Sequence, residues 1–336
     1  MVKVGVFGAT GYTGLELVRI LRRHPAAAIE FVSAQAAAGQ SLAAVFAQGP
    51  DLPLLAPGEA PLDAVDVVFL CLPHGAAAET AVRALDAGCT VIDLSADFRL
   101  RDPAAYAQWY QTAHPAPQLL AEAVYGLTEF ARAALPGARL VANPGCYPTS
   151  ILLGLQPLLA ADAVGGTVIA DSKSGVSGAG RAPKAHTHFV EVADNFAPYG
   201  IGQAHRHWPE ITQGMGFWHA SPPDLIFSPH LLPVPRGILS TIYVPLRPGW
   251  TLAAVRALFA EAYDGEPFVR LLPPGALASL AHVTHTNQCA IGLTLAGETL
   301  IVTSAIDNLV KGAAGQAVQN MNVVVGVGEG EGIVNG

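Results

Sequence analysis

The feature that most constrains the fold stands at the start of the chain. Lys3-Val4-Gly5-Val6-Phe7 is a strand-like run, Gly8-Ala9-Thr10-Gly11-Tyr12-Thr13-Gly14 is a glycine turn, and Leu15 to Arg23 has helical periodicity. In a strand, tight turn and helix of this kind, glycines let the backbone approach a pyrophosphate. The helix N-terminus then faces the pyrophosphate charge. The spacing departs from the usual G-x-G-x-x-G, so the placement after the first strand carries the expectation. Gly8, Ala9, Thr10, Gly11, Tyr12, Thr13 and Gly14 are the candidate cofactor contacts. The alternation continues with strands over Ile29 to Ser33, Asp66 to Leu72 and Thr90 to Ser95, and a helix from Ala76 to Ala87 that ends near Gly88. The third run is continuously apolar, as in a strand buried on both faces. The pattern predicts an α/β fold with a doubly wound parallel sheet.

The second strand speaks to the cofactor. NAD-binding folds place Asp or Glu at its end to bond the ribose 2′-hydroxyl. Here it runs Glu30-Phe31-Val32-Ser33-Ala34-Gln35. Glu30 comes too early, and neutral Ser33 and Gln35 are the residues to accept a 2′-phosphate. The expectation is NADP rather than NAD, although no arginine stands in the loop.

A length of 336 residues with 51% hydrophobic residues suggests two domains rather than one. A net charge of −8, with no basic run, argues against a nucleic-acid partner. Mean hydropathy is high at +0.38, yet no segment reaches the roughly 18 uninterrupted apolar residues of a membrane span. The first residues enter a strand directly, so no signal peptide is expected. Cys71, Cys89, Cys146 and Cys289 lie far apart without a C-x-x-C pair. That fits a reducing cytoplasm and gives no support to a metal site.

The second chemical signal is Asn143-Pro144-Gly145-Cys146-Tyr147-Pro148-Thr149, followed by the apolar run Ile151 to Leu155. Cys146 falls at or just before a helix N-terminus, where main-chain N–H groups and the helix dipole favour a thiolate. Such a thiolate is a nucleophile, and the same N–H groups can hold an oxyanion. The bland alternative is a small buried cysteine that packs.

Further on, Gly202-Gln203-Ala204-His205-Arg206-His207-Trp208-Pro209-Glu210 sets two histidines around an arginine. No third ligand pattern follows, so a proton carrier for Cys146 fits better than a metal site. A strand is expected over Gly165 to Asp171. Ser172 to Arg181, with its glycines, hydroxyls and two cations, reads either as an anion cradle or as a surface loop. Arg236 beside Gly237 is a candidate carboxylate or phosphate grip, or a plain surface arginine. Cys289 has no basic neighbours and reads as inert. Asp307 to Asn322 is helical and amide-rich, with small residues that allow close approach to a cofactor or to the first domain. The glycine-rich tail from Val327 to Gly336 is expected to be loosely held.

The glycine turn, the Pro-Gly-Cys-Tyr-Pro-Thr turn, Ser177-Gly178-Ala179-Gly180-Arg181, His205-Arg206-His207-x-Pro-Glu-Ile and Lys311-Gly-Ala-Ala-Gly-Gln-Ala occur in this order. Together they resemble the N-acetyl-gamma-glutamyl-phosphate reductases of arginine biosynthesis, over nearly the whole chain. The resemblance implies kinship with aspartate-semialdehyde and glyceraldehyde-phosphate dehydrogenases. It implies a Rossmann-type NADP domain plus an α+β catalytic and oligomerisation domain of the semialdehyde dehydrogenase type, in a homotetramer or homodimer. The first domain is expected over 1–145 plus about 307–336, and the second over 146–306.

The resemblance also implies a mechanism. NADPH binds over the glycine turn with its nicotinamide near Cys146, and Asn308 and Gln316 lie on the cofactor side. The Cys146 thiolate attacks the acyl phosphate, the Cys146 N–H and the Asn143 side chain hold the oxyanion, and phosphate leaves a thioester. Hydride then gives a hemithioacetal, with His205, or alternatively His207, managing the proton. Ser177, Arg181 and Arg236 are the substrate candidates. The rivals are a reductase of aspartyl phosphate or of a carrier-bound acyl phosphate, and a non-catalytic NADP-binding redox sensor.

Overall fold

The apolar runs of the first half form one sheet in which every pairing is parallel. Its strands are β1 (Val2–Phe7), β2 (Ala27–Ser33), β3 (Leu54–Leu55), β4 (Val67–Leu70), β5 (Thr90–Asp93), β6 (Val124–Tyr125) and β7 (Leu140–Ala142), in the order β3-β2-β1-β4-β5-β7-β6. All four residues of β4 are buried, as its unbroken apolar run predicts. The strand order reverses direction between β1 and β4. Their carboxyl ends therefore flank the switch crevice where doubly wound sheets bind ligands.

The computed structural model describes residues 1–333. It divides them into one compact unit of Met1–Pro144 with the segment from Ala313 onward, and another from Gly145 to Gly312. The divisions thus fall at 144/145 and 312/313, where the sequence suggested 145/146 and about 306/307.

In the first unit the helix Gly315–Val325 is buried continuously from Gly315 to Asn322. Its amides explain how polar residues tolerate that burial. Asn320 Nδ2 donates to Gly126 O at 2.8 Å, and Thr128 Oγ1 donates to Asn320 Oδ1 at 2.6 Å. Gln319 Nε2 donates to Glu129 at 3.1 Å and to Glu329 at 2.7 Å. Buried polar groups satisfied in this way cost little and fix one arrangement. The tail departs from expectation. Glu329 pairs with Arg132 at 2.8 Å, Asn322 Nδ2 donates to the carbonyls of Glu329 and Glu331, and Ile333 is buried. The tail is thus tied down as far as Ile333, and the last three residues lie outside the described ones.

The second unit is built on a mixed sheet of β8 (Val168–Gly175), β9 (Ala197–Pro198), β10 (Leu225–Leu232), β11 (Ile238–Pro245), β12 (Val269–Leu271), β13 (Cys289–Ala296) and β14 (Thr299–Ile306). The order is β12-β13-β14-β11-β8-β10-β9. β8 starts later than expected and takes in Ser172 to Gly175, so the front half of the expected anion loop is strand. The period-two burial of Ser172 and Ser174 against half-buried Asp171 and Lys173 accounts for this.

One sheet face carries the buried helix Cys146–Ala160. Small residues seat that helix closely. Ser150 Oγ donates to Ser240 Oγ at 2.9 Å, and Ser240 and Ser172 share a bond of 2.8 Å across β11 and β8. A side chain at Gly154 would meet Ile242 at 2.8 Å. On the other face Ile169 and Ile226 are exposed. Among the described residues no helix is long and apolar enough to cross a membrane, and no group of His, Cys, Asp or Glu could hold a metal ion.

Candidate active site

Cys146 is the first residue of the helix Cys146–Ala160, with Gly145 as its N-cap and no side chain capping it. The first helical bond is Thr149 N–H to Gly145 O at 2.9 Å. The N–H groups of Cys146 and Tyr147 therefore lie ahead of it at the positive end of the helix, while Pro148 has none. Proline in a first helical turn is well tolerated, which is why the sequence could begin a helix here. Cys146 is half-buried, and Gly312 packs so closely that a side chain there would meet Cys146 Cβ at 2.8 Å.

The histidine segment comes to the neighbouring residue. The rings of His205 and His207 pack edge-on against Tyr147 at centroid distances of 5.5 and 5.9 Å, and lie 4.9 Å from each other. Tyr147 is buried, its hydroxyl donates to His230 O at 3.3 Å, and Tyr199 donates to it at 3.0 Å. Burial pushes the Tyr147 phenol up, so it stays protonated.

His205 departs from its expected role. Its Nδ1 accepts the His207 main-chain N–H at 3.0 Å, which leaves the ring proton on Nε2. Partial burial, followed by the nearby Arg206 charge, pushes its pKa down to about 4. At neutral pH it is a fixed N–H donor rather than a proton carrier. His207 is the N-cap residue of the helix Trp208–Met215.

The same segment supplies a residue that sequence reasoning did not assign. Glu210 is 2% exposed, and its Oε1 accepts the Gly145 N–H at 2.8 Å. The only sequence signal was its place three residues beyond His207.

The substrate candidates divide. Ser177 Oγ accepts from Asn308 Nδ2 at 3.0 Å, and Asn308 Oδ1 accepts the Gly237 N–H at 2.7 Å. Arg236 Nη1 donates to the buried Asp307 at 3.2 Å and meets His285 Nδ1 at 2.8 Å. Ser177, Asn308 and Arg236 are thus gathered in the second unit. Asn308, expected on the cofactor side, instead spends both ends of its amide there. Arg181 stays exposed in the loop beyond, and Lys173 pairs with Asp171 at 2.5 Å.

In the first unit the glycine turn is tightly packed at two of its three glycines. Gly8 has φ +78°, and a Cβ there would lie 2.2 Å from Cys71 O; one at Gly14 would lie 2.3 Å from Gly8 O. At Gly11 the nearest atom would be 3.6 Å away. Gly11 is the N-cap of the helix Tyr12–Leu21 and has no side-chain cap bond. The first helical bond is Leu15 N–H to Gly11 O, so the amides of Tyr12, Thr13 and Gly14 precede it. This is an open anion-binding end, and it fits a dinucleotide pyrophosphate.

The neighbouring helix Ala77–Asp86 is closed. Asp97 takes the N–H groups of Gly75, Ala77 and Ala78 at 2.6, 3.0 and 3.1 Å. Behind it Asp93 is fully buried, and burial followed by the Asp97 charge pushes its pKa up to about 7.

Three expectations in this unit need correction. Ser33 is fully buried, so of the two candidates for the ribose end only Gln35 reaches the surface. Asn143 is fully buried; its Nδ2 donates to Ala313 O at 3.2 Å and its Oδ1 accepts from Asn320 at 3.1 Å. That amide braces the fold and is not available as an oxyanion donor. Gln316 is likewise buried, donating through Nε2 to Gly126 O and Thr128 Oγ1.

Comparison with known proteins follows the same division. The family described as semialdehyde dehydrogenase, NAD binding domain, matches residues 3–138, and semialdehyde dehydrogenase, dimerisation domain, matches 146–308. N-acetyl-gamma-glutamyl-phosphate reductase of Geobacter metallireducens is 50% identical over 99% of this chain and 98% of its own. That of Symbiobacterium thermophilum is 49% identical over 99% and 98%. The chain belongs to the N-acetyl-gamma-glutamyl-phosphate reductase family.

Members of this reductase family are oxidoreductases, and the two-unit architecture recurs in solved structures. Aspartate semialdehyde dehydrogenase II of Vibrio cholerae matches with a TM-score of 0.75 at 18% identity, covering 97% of this chain and 98% of that one. The Candida albicans aspartate semialdehyde dehydrogenase with NADP matches with a TM-score of 0.70 at 16% identity, covering 96% and 98%. At these identities the likeness establishes the fold.

Proposed function

We propose that this chain reduces N-acetyl-glutamyl 5-phosphate to N-acetyl-glutamate 5-semialdehyde and phosphate with NADPH, in the cytoplasm, as a step of arginine (ornithine) biosynthesis. The observation that carries the reading is Cys146 at an uncapped helix start with both histidine rings on the adjoining tyrosine. The curated relatives' names supply the substrate.

The Cys146 sulfur attacks the acyl carbon, forming the C–S bond of a thioester as the bond to the phosphate oxygen breaks. The Cys146 and Tyr147 N–H groups suit the developing oxyanion, and the His205 Nε2–H is a further fixed donor. When bound, a reduced nicotinamide supplies hydride to the thioester carbon. The resulting hemithioacetal collapses as its C–S bond breaks. The alkoxide left by hydride addition re-forms the carbonyl, the sulfur leaves with the C–S electron pair, and His207 returns to it a proton taken up from solvent. Ser177 and the Asp307-braced Arg236 are the groups for substrate phosphate and carboxylate.

For the cofactor, the open N-terminus of the helix Tyr12–Leu21 would hold the pyrophosphate. Exposed Gln35, with no carboxylate at the end of β2, favours the 2′-phosphate of NADP. The outward sheet face bearing Ile169 and Ile226 is the surface for self-association, in line with the dimerisation-domain match.

The test is the reverse reaction. Purified protein given N-acetylglutamate semialdehyde, phosphate and NADP should form NADPH only when phosphate is present. Silence with that substrate and turnover with aspartate semialdehyde or a carrier-bound semialdehyde would reassign the substrate. Silence with all of them, cofactor binding intact, would leave the sensor reading.

A further inference from the structure

We propose that Glu210 is a positioning residue that holds the Gly145 main-chain N–H just ahead of Cys146 and locks the histidine segment to the cysteine helix. The inference rests on the reading of Cys146 as the nucleophile.

A carboxyl group buried to 2% exposure is costly unless well bonded. Glu210 spends an oxygen on one particular amide, the N–H of Gly145, at 2.8 Å across 65 residues of sequence. That amide belongs to the N-cap residue of the cysteine helix, so the bond fixes the Pro144–Gly145 peptide plane one residue ahead of Cys146. It also withdraws the Gly145 donor from the helix end.

The other end of the link matters equally. Glu210 lies in the first turn of the helix Trp208–Met215, whose N-cap is His207. A second close approach lies one turn further along, where a side chain at Gly214 would meet Leu152 at 2.5 Å. Two attachments, one polar and one steric, hold these helices in a single register. That register keeps the His205 and His207 rings on Tyr147. Positioning of this kind matters to rate, since a shift of about 1 Å at a reacting group can cost 10²-fold.

Two substitutions separate geometry from charge. Glu210→Gln keeps an acceptor oxygen at the same reach and removes the charge. Glu210→Asp keeps the charge and withdraws the oxygen by one methylene. Both are measured for kcat and KM, for NADPH affinity, and for alkylation of Cys146 by iodoacetamide without substrate.

We expect E210Q to stay within about tenfold of the wild-type kcat and alkylation rate. E210D should lose about 10²-fold in kcat, with NADPH affinity unchanged in both. E210Q as slow as E210D or slower overturns the proposal, as does E210D at the wild-type rate. A Cys146→Ala protein that still turns over would instead overturn the nucleophile reading itself.

Discussion

Nδ1 of His205 accepts the main-chain N–H of His207 at 3.0 Å, which fixes the neutral ring with its proton on Nε2. A ring held this way donates from Nε2 while staying neutral near pH 7. His205→Asn should therefore lower kcat by about 10²–10³-fold, the loss typical of one oxyanion donor. His205→Gln, whose amide nitrogen reaches about as far as Nε2, should recover part of that loss. The measurement is steady-state kcat across pH. The wild-type profile should carry no limb from His205 near pH 6.5, because its pKa lies at about 4. Recovery by Asn rather than Gln would point to Nδ1 as the working atom.

Cys146→Ala should abolish turnover and leave NADPH binding intact, since the glycine turn proposed to hold the cofactor belongs to the first unit. Titration of NADPH fluorescence beside the rate assay checks both halves. Substantial residual turnover would contradict the covalent scheme.

The glycine turn should respond unevenly to added methyl groups. Gly14→Ala places a carbon 2.3 Å from Gly8 O and 2.8 Å from Ala9 Cα, so it should lower stability and cofactor affinity together. Gly11→Ala meets its nearest atom at 3.6 Å and should leave Tm within a few degrees of wild type. Its methyl stands at the open helix end, so NADPH affinity should still fall. Thermal melts with and without cofactor separate the two effects.

Asp93 predicts a pH signature in stability. Its pKa is raised from 3.8 to about 7, through burial and then the Asp97 charge. A raised carboxyl pKa means that the folded state holds the proton more tightly than the unfolded chain. The contribution is full below pH 3.8 and is lost as pH rises through about 7. Asp93→Asn should flatten that part of the stability profile, as read by denaturant titration at several pH values. An unchanged slope would assign the pH dependence elsewhere.

Much of the site was legible because its signals are local. A valine-rich run before a glycine turn gives β1 and its helix, and Pro-Gly before Cys-Tyr-Pro gives the cysteine helix. What escaped the sequence depends on distant partners. Glu210 meets Gly145 across 65 residues. Asp97 closes the neighbouring helix from 19 to 22 residues away. Asn143 looked like an oxyanion donor beside the cysteine, yet Asn320, 177 residues on, claims its side chain. Asn308 sat in a motif suggestive of the cofactor, while Ser177 and Gly237 hold it in the second unit. The tail looked loose from its glycines, and Arg132 anchors it through Glu329.

The most direct measurement is intact and peptide mass spectrometry of the protein mixed with N-acetyl-glutamyl phosphate in the absence of reduced cofactor. The account predicts one N-acetyl-glutamyl group per chain, on the peptide carrying Cys146, absent from the Cys146→Ala protein and discharged when NADPH is added. An unmodified Cys146 in a sample of protein that turns over normally once NADPH is added would contradict it.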